Sequence, residues 1–87
     1  MKIDFRKFPM YQGISKQVKI AVDVAESLAN TLYINVPGIK AHVLAEKIYK
    51  AEGEEEYSID EVDFILSARH LFSGNFVDSL ADLVKER

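Results

Sequence analysis

The sequence predicts an α+β fold: a small two- or three-stranded antiparallel sheet, built on an N-terminal hairpin, packed with about four helices. Three observations predict it. Apolar and polar residues alternate near the N-terminus, the apolar period lengthens to that of a helix at Asp23, and Pro37-Gly38, Gly53 and Gly74 divide the remainder of the chain. The resulting order is β-β-α-α-(β)-α-α, with helices in the majority.

Ile3 and Phe5 alternate with Lys2, Asp4 and Arg6, which predicts a short first strand. Pro9 and Gly13 then punctuate an aromatic-rich connection holding Phe8, Met10 and Tyr11. Val18, Ile20 and Val22 alternate with Gln17, Lys19 and Ala21, the clearest period of two in the chain. Pairing these two strands is the simplest hairpin.

Asp23 is placed to cap a helix, with Glu26 three residues on completing a box-like pair. Val24, Ala25, Leu28, Ala29, Leu32, Tyr33 and Val36 then form an apolar stripe. Pro37 ends it by disfavouring helical geometry in the residue before it. A second helix is predicted from about Ile39 to Ala51, with Ala41, Leu44, Ala45, Ile48 and Ala51 on one face. At about 100° per residue, Ile39 and Val43 fall on the opposite, polar side beside Lys40, His42, Glu46, Lys47 and Lys50.

Residues 54–57 read as a short strand or a turn. Ser58-Ile59-Asp60-Glu61 is a capping box opening a helix over about 59–72. That helix is apolar over most of its circumference, with only Asp60, Asp63, Ser67 and His70 in a polar strip. Gly74 stops it, Asn75 caps the next, and Phe76, Val77, Leu80, Ala81 and Val84 make a last amphipathic helix. Lys85 and Arg87 suit its negative C-terminal end.

No repeat, low-complexity tract or linker interrupts the chain, so residues 1–87 read as one domain. A chain of this length buries only about 60–65% of the surface its unfolded form exposes. Yet 48% of its residues are hydrophobic. Some apolar surface is therefore expected to be covered by a second copy or a partner. With no cysteine there is neither disulfide nor thiolate metal site, and the charged Met1–Lys7 segment lacks the apolar run of a signal peptide. No apolar stretch approaches the roughly 20 residues of a membrane helix. The expectation is a cytoplasmic protein without a membrane partner.

The net charge of −3 is unevenly spread. Residues 1–19 hold Lys2, Arg6, Lys7, Lys16 and Lys19 against Asp4 alone, while residues 54–63 hold Glu54, Glu55, Glu56, Asp60, Glu61 and Asp63 without a cation. Such asymmetry steers association.

Chemistry finds little support. Lys50 to Glu61 has the length and closing Glu of a calcium loop, but Lys50 stands where a carboxylate is needed and Glu55 where the turn wants glycine. Asp63, Ser67 and His70 share a helical face. A mid-helix serine, however, has its neighbouring amides committed to helix bonds and no oxyanion hole beside it. His42 and Glu46 are too few ligands for a metal, and the four glycines form no phosphate loop. The reading is no enzyme, no cofactor and no metal.

Two functional classes remain. An interaction module, a homodimer or larger homo-oligomer, would use Ile39 and Val43 with whatever part of Phe64, Ile65, Phe72 and Phe76 the core leaves uncovered. The alternative is a nucleic-acid-binding accessory protein using Lys2, Arg6, Lys7, Lys16 and Lys19, with Phe5, Phe8 and Tyr11 interleaved for stacking. Against it stand the net negative charge and the acidic 54–63 segment.

Met1–Phe5, Ala45-Glu46-Lys47-Ile48-Tyr49 and Glu54 through Val62 are together similar to small prophage-encoded bacterial proteins. The resemblance implies a bacterial or phage cytoplasmic setting and an accessory or assembly role. It transfers no functional residue.

Overall fold

The first turn of the chain is decided by Asp4. In the computed structural model, which describes residues 1–85, its carboxylate accepts the amides of Arg6 at 2.9 Å and Lys7 at 3.2 Å. The chain therefore coils into a 3-10 turn at Phe5–Lys7 instead of extending the strand begun at Ile3. Strand β1 is only Lys2–Ile3, and it pairs antiparallel with β4, Glu55–Glu56, in the register Lys2 to Glu56 and Ile3 to Glu55.

The hairpin partner of β3 (Lys19–Val22) is β2, Phe8–Tyr11, the stretch expected to be a connection. Phe8 faces Val22 and Met10 faces Ile20. Gln12 N–H donates to Val18 C=O at 3.0 Å, so the pairs that exchange hydrogen bonds are 12–18, 10–20 and 8–22. Pro9 thus falls at a position whose N–H would point away from β3, where a proline loses nothing.

Four helices complete the α+β fold: α1, Ala25–Asn35; α2, Ile39–Lys50; α3, Ile59–Ser67; and α4, Gly74–Lys85. Asp23 does reach the first amide of α1, Ala25 N–H at 3.2 Å. Val24 nevertheless holds the cap position, and no box with Glu26 closes among the described residues. The Ser58–Glu61 box is present in both directions: Ser58 Oγ accepts Glu61 N–H at 3.1 Å, and Glu61 Oε1 accepts Ser58 N–H at 2.8 Å.

Helix α3 is shorter than its apolar pattern implies. Ser67 Oγ donates to Phe64 C=O at 2.7 Å and Arg69 Nε to Leu66 C=O at 3.2 Å, so side chains occupy carbonyls of the last turn. The backbone tightens into a 3-10 turn at Arg69–Leu71. Val77 N–H bonds to Ser73 C=O at 3.1 Å, which puts Ser73, not Asn75, at the cap of α4. Arg87 lies outside the described residues.

The core is threaded by a row of five rings. Tyr57 meets Phe5 at 5.2 Å, Phe5 meets Phe8 at 5.6 Å, Phe8 meets Phe76 at 5.2 Å, and Phe76 meets Phe72 at 5.4 Å. Around it pack Leu28, Leu32, Leu44, Ile48, Val62, Ile65 and Leu80. Among the described residues, no helix is long and apolar enough to cross a membrane.

Candidate docking surface

Pro37 and Gly38 turn the chain between α1 and α2, Gly38 at a φ of 106° that side-chain-bearing residues rarely adopt. Val36 N–H closes the end of α1 on Leu32 C=O at 3.2 Å. The two helices return alongside each other with Leu28, Ala29 and Leu32 buried on one and Ala41, Leu44, Ala45 and Ile48 on the other. Their joined end, at Pro37-Gly38, is the apex.

The apex is apolar where it meets solvent. Ile39 is 81% exposed, Ile34 72%, Tyr33 61% and Val43 58%. Ile39 and Val43 thus occupy the outward position their helical phase gives them. Tyr33 belongs to the α1 stripe by phase, but its ring is left outside the core, 5.4 Å from His42 of α2. Ile34 is a surface residue that the stripe does not single out. Its one signal is that it alone among the apolar residues of this helix falls off the stripe.

Of the other predicted surface residues, Ile65 and Phe76 are core side chains, 1% and 6% exposed. They are out of a partner's reach in this fold. Phe64 and Phe72 are half-buried. Lys40 Nζ lies 5.5 Å from the Phe64 ring centre, and Phe72 ends the aromatic row. The broad apolar face of α3 is therefore mostly spent on the core, and of the predicted surface residues Ile39 and Val43 are the ones left exposed.

The basic segment is dispersed. Arg6 donates through Nη2 to Tyr49 C=O at 2.8 Å and through Nε to Ala51 C=O at 3.2 Å, and Nη1 lies 3.6 Å from Asp23. It caps α2 from outside. Lys16 pairs with Asp78 at 3.5 Å, and Lys19 lies 4.5 Å over the Tyr11 ring. Lys2 is opposite Glu56 and Lys7 is exposed. Phe5 and Phe8 are buried, so neither presents a stacking face.

Tyr11 fastens the hairpin to α4. Its N–H donates to Ser79 Oγ at 3.0 Å, its C=O accepts from Asn75 Nδ2 at 3.0 Å, and its hydroxyl donates to Asp82. That last bond holds the Asp82 carboxyl below its ordinary value, with Lys16, Lys85 and Lys19 adding to the effect against partial desolvation. At the other end of the molecule, Lys47 Nζ bonds Glu61 at 2.9 Å and lies 4.7 Å over Tyr57. Burial raises the Glu61 carboxyl, but the Ser58 amide and the Lys47 ammonium outweigh it and hold the group low.

His42 Nε2 lies 3.0 Å from Glu46 Oε1, a surface pair. Among the described residues, no three His, Cys, Asp or Glu side chains could hold a metal ion together. A shallow depression of about 380 Å³ runs along α1 and α2 between Tyr33 and Tyr49, floored by Ala29 and Ala45. No protein-family model, curated protein or solved structure compared with the chain matches it.

Proposed function

We propose that this chain is a non-catalytic protein–protein interaction and assembly module that associates with copies of itself through the apex of α1 and α2. The supporting observation is the exposure of Tyr33, Ile34, Ile39 and Val43 around one tight turn. Scattered apolar residues on a surface are ordinary, but four gathered at one end of a small domain mark a place for another polypeptide. A bacterial or prophage cytoplasm is the setting that the sequence resemblance adds to this reading.

The nucleic-acid reading has less support. Arg6 and Lys16 are already paired within the fold, and Phe5 and Phe8, expected to stack, are core rings.

Size-exclusion light scattering tests the apex. Wild-type protein is expected above its monomer mass of 9.9 kDa, and Val43→Glu is expected to lower the mass with the circular dichroism unchanged. Val43 is 58% exposed, so the charge leaves the core intact. An unaltered mass in a folded Val43→Glu would remove the apex from the reading.

A further inference from the structure

We propose a second, independent surface: the outer edge of β3 pairs antiparallel with β3 of another copy, joining two hairpins into one four-stranded sheet. The ladder phase carries this. With 12–18, 10–20 and 8–22 as the hydrogen-bonded pairs, the backbone groups of Lys19, Ala21 and Asp23 point away from β2. The two edges of the hairpin are treated differently. On β2, Pro9 has no N–H to offer, and Ser79 and Asn75 of α4 take the outward groups of Tyr11. On β3, no described residue takes the outward groups of Lys19 or Ala21.

The side chains agree. Phe8 is buried, but the row it begins runs outward past the core, and Val18 and Ile20 are 58% and 50% exposed. A two-stranded hairpin reaching into solvent is marginal, whereas a sheet of three or more strands with an apolar face is stable. Lysine on an edge strand ordinarily discourages pairing. Here the register decides. Centring the two-fold axis on Lys19 would oppose the two lysines, and centring it on Ala21 instead sets Lys19 opposite Asp23 of the second copy, twice. Asp23 retains 55% side-chain exposure despite Arg6. The same register sets Ile20 opposite Val22 on one face and places small Ala21 on the axis, with no like charges opposed.

Because the chain has no cysteine, the register can be read directly. Across the axis the two Ala21 Cα atoms would be about 5.5 Å apart, inside the range a disulfide spans. Ala21→Cys is expected to give covalent dimers in most chains under mild oxidation, and Lys19→Cys few. Equal cross-linking of the two, or none in either, would overturn the proposal. Ala21→Pro removes the central N–H and should halve the mass seen by light scattering. A folded Ala21→Pro of unchanged mass would also overturn it, and if that variant does not fold, the cysteine pair decides alone. Failure of the apex would look different. Val43→Glu would then leave the mass untouched while Ala21→Pro reduced it to monomer. If both surfaces act, wild type exceeds a dimer and each variant stops at a dimer, since two self-complementary faces per copy build a chain or ring.

Discussion

The ring of Tyr57 stands edge-on to that of Phe5 at 5.2 Å, and its hydroxyl is buried with no hydrogen-bond partner among the described residues. A sealed, unpaired hydroxyl costs about 1–3 kcal/mol. Tyr57→Phe keeps the edge-to-face contact and removes that cost. It is expected to stabilise the fold by about 1 kcal/mol, raising the melting temperature by about 4–8 °C. A lower melting temperature would mean that the hydroxyl does bond in solution.

The same burial, with Glu55, Glu61 and Asp4 nearby, pushes the Tyr57 hydroxyl up to about 12. The folded state therefore holds its proton at pH values where the unfolded chain, near 10, gives it up. The contribution is complete below pH 10 and declines as pH rises towards 12. Urea unfolding across that window should show a steeper loss in wild type than in Tyr57→Phe. Parallel slopes would refute the assignment.

Glu61 works in the opposite direction. Its carboxyl is held below the ordinary 4.5, so its contribution is present above that value and is lost as pH falls through the lower folded one. Glu61→Gln can still accept the Ser58 amide but cannot pair with Lys47. Its acid unfolding should therefore be flatter below pH 4.5 than that of wild type. Removing the other half of the box, Ser58→Ala, should cost about 1 kcal/mol at neutral pH. Wild-type acid behaviour in Glu61→Gln would show that the ion pair carries nothing.

Arg6 marks where charge counting and structure part. As a cation among Lys2, Lys7 and Lys16, it reads as a contact for phosphate. In the fold its guanidinium donates to the carbonyls of Tyr49 and Ala51 and faces Asp23. A lysine has no planar fork to reach two carbonyls at once. Arg6→Lys should accordingly destabilise by about 1–2 kcal/mol, read by thermal unfolding, although the net charge is unchanged. Stability equal to wild type would return Arg6 to the surface-charge reading.

What the sequence displays well are features written in local periods and caps. The outward phase of Ile39 and Val43, the Ser58–Glu61 box and the breaks at Pro37-Gly38 and Gly74 depend on neighbours within one turn of helix. What it conceals depends on distant residues. Ile3 pairs with Glu55, far along the chain, and Phe8–Tyr11 is masked as a strand by Pro9, which is harmless only because its missing N–H faces away from β3. Which of Phe64, Ile65, Phe72 and Phe76 stays uncovered depends on where Phe8 and α4 settle. Periodicity along one helix carries no record of that. The apex is half-legible for the same reason: Tyr33 has a core phase, yet its ring lies outside the core against His42 of the neighbouring helix.

Ser79 is the buried hinge-pin between the hairpin and α4. Its Oγ accepts Tyr11 N–H at 3.0 Å and donates to Asn75 C=O at 2.7 Å, inside a site with no solvent exposure. Ser79→Ala removes the hydroxyl that accepts the Tyr11 amide and should cost about 1 kcal/mol. The loss should be local as well as global. Amide exchange at Tyr11 is expected to accelerate more than at Leu32, because the hairpin edge is released while the α1–α2 packing is untouched. Equal acceleration at both amides would mean that the serine supports the whole core and that the hairpin does not open as a separate unit. The result bears on assembly too, since a hairpin freed from α4 would present β3 on a mobile support and weaken the strand pairing proposed for Ala21.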